Sequence, residues 1–148
     1  MLPDDSSATQ RMRIMCAAMS RMIDGWARMA NVLLAEDDAT ERGLIARALT
    51  ADGHTVTEAE NGQVALQKLL AAPAAFAVIV TDVDMPELDG IEFARRALAA
   101  NASIKVLLIS GYASSIDRAA DILSKGRRSL VKPVQLDRVR SEIRTLLG

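Results

Sequence analysis

The chain is poor in the side chains that carry much of protein chemistry: one cysteine, Cys16, one histidine, His54, and only Trp26, Phe76, Phe93 and Tyr112 as aromatics. A lone cysteine excludes an internal disulfide, and with a lone histidine it excludes a cysteine-based zinc site. That usage points to a reducing, cytoplasmic compartment. The net charge of −1 gives no pull toward nucleic acid, and no basic stripe is interleaved with aromatics, so DNA or RNA binding is not expected. Long apolar runs are missing too. Phe76 to Val80 and Val106 to Ile109 fall far short of the roughly 20 residues that span a bilayer, so no membrane span is expected. The first residues lack the continuous apolar stretch and cleavage site of a secretory signal. What remains is a chain of 148 residues, enough for one domain with a hydrophobic core.

Residues 1–28 differ from the rest, with a polar start at Pro3, Asp4, Asp5, Ser6 and Ser7 and then many Met and Arg residues. From Met12 the residues Met15, Met19, Met22, Trp26 and Met29 follow at spacings of 3, 4, 3, 4 and 3, which places them on one helical stripe opposite Arg11, Arg13, Arg21 and Arg28. Such a helix can dock on a partner, pair with a second copy or lie on an anionic membrane surface. The simpler expectation is a poorly ordered extension or a lone amphipathic helix ahead of a domain that starts at Met29. Met29 stands where a reading frame for that domain ordinarily begins.

From Ala30 onward, apolar β-rich runs alternate with segments of helical period, the pattern of a doubly wound parallel sheet with helices on both faces. The expected strands are Val32 to Glu36, His54 to Ala59, Phe76 to Asp82, Lys105 to Ile109 and Ser129 to Val131. The expected helices run from about Ala39 to Ala51, Gly62 to Ala71, Gly90 to Ala99, Ser115 to Lys125 and Gln135 to Leu147. Strands one, three and four are nearly all apolar, as central strands should be, and the second alternates like an edge.

Ligands of an open parallel sheet bind outside the carboxyl ends of its strands. There the first strand ends in Glu36 and Asp37, the third in Asp82 with Asp84 two residues on, the fourth in Ser110 and the fifth in Lys132 and Pro133. Converging carboxylates are unstable unless some are protonated or a cation sits among them. Oxygen ligands without His or Cys suit Mg²⁺ or Mn²⁺. Lys132 adds a positive charge and Ser110 a hydroxyl, so the pocket has partners for phosphoryl oxygens, and Asp82 becomes a plausible nucleophile giving an aspartyl phosphate. Singly, each element has an ordinary explanation: a capped helix start at Glu36 to Asp38, or a turn-rich loop from Asp84 to Gly90. Their joint order and spacing at strand ends favours the site.

These residues resemble the receiver domain of two-component response regulators over residues 29–148. Val-Leu-Leu-Ala-Glu-Asp-Asp at 32–38 resembles the family's acidic first-strand motif, and Thr-Asp-Val-Asp-Met-Pro-Glu-Leu-Asp-Gly at 81–90 resembles its phosphorylation loop. The resemblance implies a flavodoxin-like (βα)5 fold with strand order 2-1-3-4-5 and a phosphoacceptor at Asp82. It implies metal held by Glu36, Asp37, Asp82 and the backbone carbonyl of Asp84, whose side chain tunes dephosphorylation. Ser110 and Lys132 match the switch hydroxyl and phosphate-binding lysine, with small Gly111 leaving room beside the phosphate, Pro133 in the cis-proline place and a compatible donor at Thr81. The implied partner is a sensor histidine kinase or histidine phosphotransferase, and the implied role is a signalling switch rather than a turnover enzyme. Leu-Leu-Ala-Glu-Asp-Asp, Met-Pro-Glu-Leu-Asp-Gly-Ile-Glu-Phe-Ala-Arg-Arg and Ile-Ser-Gly-Tyr are most similar to single-domain regulators of the CpdR type, which adapt a ClpXP protease to its substrates when unphosphorylated. Leu146-Leu147-Gly148 departs from that type's tail.

Two further departures concern signal transmission. Ser129 stands where an aromatic residue is usual, with Tyr112 expected to substitute by screening the acyl phosphate from water. Val134 follows Pro133 where Phe is common. A haloacid-dehalogenase-type phosphatase shares the Asp82-Val83-Asp84 pair, but it places its metal-binding acids after the lysine, whereas Glu36 and Asp37 come first here. A receiver-like interaction module that no longer takes phosphate is the other alternative, motivated by Ser129.

Overall fold

Runs of leucine and β-branched residues without intervening charge form the middle of a five-stranded sheet in the computed structural model, which describes residues 6–27, 29–124 and 126–148, with residues 20–27 by backbone alone. The chain runs α1 (Ser6–Ala27), β1 (Asn31–Ala35), α2 (Ala39–Ala51), β2 (Thr55–Ala59), α3 (Gly62–Ala71), β3 (Val78–Asp82), α4 (Gly90–Ala100), β4 (Lys105–Ser110), α5 (Ala113–Asp117), β5 (Arg127–Val131) and α6 (Leu136–Leu147). The strands are parallel in the order β2-β1-β3-β4-β5. β3 is buried along its whole length, and β1 and β4 nearly so, because helices cover both faces.

The period-two alternation of these strands sorts the core into two layers. Leu33, Ala35, Ile79, Val106 and Leu108 face α3 and α4, around Ala65, Leu69, Phe93 and Ala97. Val32, Leu34, Val80, Leu107 and Ile109 face α2 and α6, around Ile45, Leu49, Val139 and Ile143. Val134 packs at the border of the second layer. At the carboxyl ends of the strands, side chains start the next helices: Asp38 accepts from the Glu41 N–H at 2.9 Å, Asn61 from Val64 at 2.8 Å and Asp89 from Glu92 at 2.9 Å.

Two expectations need correction. The edge position of β2 holds, but its exposure does not alternate cleanly: Val56 and Thr57 are both half-buried between an exposed Thr55 and Glu58. The helix expected from Ser115 to Lys125 begins earlier and stops at Asp117; Lys125 lies outside the described residues. Beyond Asp117 the backbone closes in three-residue turns, Ala120 to Asp117 and Ile122 to Ala119. Side chains take two of the carbonyls a helix would use, since Arg95 donates to Arg118 O and Arg127 to Ile122 O. The turns still bury Ala119 and Ile122 against α4, which is the packing that produced the helical spacing.

The amino-terminal segment forms the helix α1, with Met12, Ile14, Met15 and Met19 exposed. Of the stripe read from the sequence, the side chains of Met22 and Trp26 lie outside the described residues, as do Arg21 and Arg28. Among the described residues no helix is long and apolar enough to cross a membrane.

Candidate functional site

Strand register gathers the site. Ala35 pairs with Thr81, Asp82 with Ile109 and Ser110 with Val131, so the residues that end β1, β3, β4 and β5 share one rim of the sheet. Glu36 and Asp82 are buried there, at 2% and 5% exposure, while Asp37 is open to solvent. Carboxylate oxygens of Glu36, Asp37 and Asp82 lie within 4.8 Å of one another. Lys132 faces them, its Nζ 3.1 Å from Asp82 Oδ2, 3.6 Å from Glu36 Oε2 and 2.8 Å from Glu41 Oε2.

The electrostatics follow from burial. Desolvation pushes the Glu36 carboxyl up to about 8, with the Asp82 charge adding to the rise and the Asp38 N–H and Lys132 opposing it. Burial also raises Asp82, against the pull of Lys132 and of the Asp84 N–H, which donates to Asp82 Oδ1 at 3.3 Å. For Lys132, burial alone would lower the ammonium, but the Glu41 and Asp82 carboxylates hold it above its ordinary value. Burial holds both acids back from ionising, which a divalent cation would relieve, and oxygen donors without His or Cys fit a hard ion such as Mg²⁺.

The other residues singled out from the sequence sit around this cluster. Ser110 is buried, and its hydroxyl donates to Asp84 Oδ2 at 3.0 Å while accepting from the Tyr112 N–H at 3.1 Å. Lys132 N–H donates to Ser110 O at 2.7 Å, tying the ends of β4 and β5, and the Lys132–Pro133 peptide is cis. A side chain at Gly111 would meet nothing within 4 Å. Thr81 points to the opposite side of β3 from Asp82; its buried hydroxyl donates to the Asp82 carbonyl at 2.9 Å and not to a side chain of the cluster. Tyr112 is 66% exposed. Ser129 lies away from the rim, beside Arg127, Arg128, Arg138 and the buried Glu142, with Arg128 and Arg138 both paired to Glu142.

Three contributors escaped the sequence reading. Glu41 reaches Lys132 across 91 residues of chain, a contact that no local pattern announces. Arg42 donates to the Glu36 carbonyl at 2.8 Å, fixing the turn that carries the acids. Gly90 opens α4 so close to β3 that a Cβ there would lie 1.9 Å from the Asp82 carbonyl oxygen. In the sequence Asp89-Gly90 has the look of ordinary turn chemistry, which hides the close approach.

Comparison with known proteins agrees with this geometry. The response regulator receiver domain family matches residues 32–144. The response regulator receiver protein CpdR of Brucella abortus is 36% identical over 119 residues, which is 80% of this chain and 98% of that protein. The sensor kinase CckA of the same organism is 39% identical over 84 residues, 57% of this chain but only 9% of the kinase. A solved response regulator receiver protein from Sinorhizobium medicae superposes with a TM-score of 0.73 at 28% identity, over 80% of this chain and 94% of that one. With its strand order, its acidic rim and these relatives, the chain belongs to the response regulator receiver domain family of two-component signalling.

Proposed function

We propose that Asp82 accepts a phosphoryl group from the phosphohistidine of a sensor histidine kinase or histidine phosphotransferase, as the input step of a single-domain response regulator in the cytoplasm. The observation that carries this reading is the buried Asp82 carboxylate held between the Lys132 ammonium at 3.1 Å and the acids Glu36 and Asp37. In the step, an Asp82 carboxylate oxygen bonds to phosphorus as the phosphorus–nitrogen bond of the donor breaks, and the imidazole leaves with the electron pair and takes up a proton. Glu36, Asp37, Asp82 and the Asp84 carbonyl are the residues to hold Mg²⁺, or Mn²⁺ in its place. The ion supplies neutralisation of charge on the transferring group. Lys132 offsets charge on a second oxygen, and Ser110 offers a hydroxyl donor to a third. Drawing Ser110 inward moves Tyr112, whose backbone it already holds, and that displacement is the route to the partner surface.

Residues 29–148 form the receiver unit in this reading, with residues 1–28 as an extension. The identity to CpdR over nearly all of that protein supports a place among single-domain regulators of its type. The reading is tested by phosphotransfer. A histidine-phosphorylated phosphotransferase carrying radiolabel should pass it to the parent in the presence of Mg²⁺, and not to Asp82→Asn or to the parent in excess chelator. Label that stays on histidine with every donor tried, or that moves equally well to Asp82→Asn, removes the reading.

A further inference from the structure

Glu41 occupies a place where a purely local role is expected. Asp38-Ala39-Thr40-Glu41 has the spacing of a capping box, in which the acid at the third helical position reaches back to the backbone N–H of the N-cap residue. Half of that box forms, since Asp38 Oδ1 accepts from the Glu41 N–H at 2.9 Å. The other half does not. The Asp38 N–H donates to Glu36 Oε1 at 3.2 Å, and the Glu41 carboxylate turns to Lys132, with Oε2 at 2.8 Å from Nζ. This contact is shorter than those of Lys132 to Asp82 and Glu36, at 3.1 and 3.6 Å. Glu41 is also the open member of the group, its side chain 47% exposed against 6% for Asp82. It stands at the mouth, between Lys132 and solvent.

We propose that Glu41 is a positioning residue that restrains Lys132 and slows phosphoryl gain at Asp82; the proposal rests on the reading of Asp82 as the phosphoacceptor. Two effects act in the same direction. An ammonium has three hydrogens, and one of those on Lys132 is committed to Glu41 rather than offered to a phosphoryl oxygen. The Glu41 charge also stands where an anionic donor must approach, and a unit charge at that range costs the donor more at low salt than at high. Glu41 is not one of the clustered carboxylates and does not touch the reacting oxygen, so it acts through Lys132 and through its field. The contrasting role is support of the α2 amino terminus, where an acid is favourable in any receiver or non-receiver helix. That role predicts a change in stability and none in rate.

The test follows the full chain with Mg²⁺ and acetyl phosphate, in which the Asp82 oxygen bonds to phosphorus and acetate leaves with the electron pair of the broken phosphorus–oxygen bond. Initial rates of adduct formation are read by intact mass at low and high salt for the parent, Glu41→Gln, Glu41→Ala and Glu41→Asp, with thermal midpoints for each. Glu41→Gln keeps length and an acceptor while losing charge. It and Glu41→Ala are expected to gain phosphate about three- to tenfold faster than the parent at low salt, with a weaker acceleration by added salt. Glu41→Asp keeps the charge on a shorter arm and should fall between parent and Glu41→Ala. A parent that is phosphorylated on Asp82 while Gln and Ala variants match it or lag behind it at both salts overturns the role of Glu41 and leaves the receiver reading standing. A lowered midpoint with parental rates overturns it equally. A parent that takes no phosphate on Asp82 removes both.

Discussion

Ser110 donates its hydroxyl to a carboxylate oxygen of Asp84 across 3.0 Å, so the donor that a phosphorylated Asp82 needs is already held by an acid two residues further along the loop. A phosphoryl group must win this hydrogen from a charged acceptor. A hydrogen bond to a charged group is worth about 1.5–3 kcal/mol net, and the exposure of Asp84 puts this one at the low end, roughly tenfold in an equilibrium. Asp84→Ala is therefore expected to lengthen the life of the phosphorylated state by about that factor, measured as decay of the adduct after donor removal. Adding Ser110→Ala to that variant should abolish the gain, since the two substitutions act on one bond. An unchanged lifetime in Asp84→Ala would show that Ser110 is not contested.

Gly90 tests whether the acceptor's backbone needs its tight seat. A methyl group there would lie 1.9 Å from the Asp82 carbonyl oxygen, and its N–H is bonded to Val83 O at 2.9 Å, so neither side yields freely. Gly90→Ala should cost about 1–3 kcal/mol in urea unfolding and displace Asp82 enough to slow its phosphorylation. Gly111→Ala has open space around it and should leave stability within about 0.5 kcal/mol. Equal stability of the two variants would contradict the close approach.

The single histidine gives the fold a pH dependence of known sign. His54 is buried at the entry to β2, and its Nδ1 accepts from the Ala30 N–H at 3.1 Å, which requires a neutral ring. Burial holds the imidazole below its ordinary 6.5, with the Asp52 charge opposing. The unfolded chain therefore binds a proton more readily, and stability that is complete above 6.5 is lost as pH falls through that value toward the folded one. The slope cannot exceed about 1.4 kcal/mol per pH unit for one proton. Asp52 does not confuse the window, because its hydrogen bonds to Arg140 keep its carboxyl below the ordinary value. The Glu36 carboxyl, raised to about 8, titrates in the same window with the opposite sign, so His54 is read as a difference: the urea midpoint of the parent relative to that of His54→Gln should fall from about pH 7.5 to about pH 5.5. A constant difference between the two profiles would rule His54 out as a source of pH dependence.

What the sequence disclosed, and what it hid, divides by the range of the interaction. Val78 to Asp82 reads as a buried strand ending in an acid because burial on both faces removes every charge until the rim, and the same logic placed Glu36, Ser110 and Lys132 at the ends of neighbouring strands. The segment after Tyr112 has the spacing of a longer helix, since Ile116, Ala119 and Ile122 pack at a spacing of three that successive turns and a helix both satisfy. Arg95 and Arg127, which hold the carbonyls there, come from elements distant in sequence. Glu41 was hidden for a similar reason. Its capping-box position is a sufficient local explanation, and only the fold brings Lys132 to it.

Phosphorylation at Asp82 is read most directly by intact mass and peptide mapping after incubation with Mg²⁺ and acetyl phosphate. The parent should gain one phosphoryl group that hydroxylamine removes, mapped to the peptide containing Asp82, and Asp82→Asn should gain none. An adduct of the same size on Asp82→Asn, or a parent that stays unmodified with every small donor, would contradict the assignment of Asp82 as the phosphoacceptor.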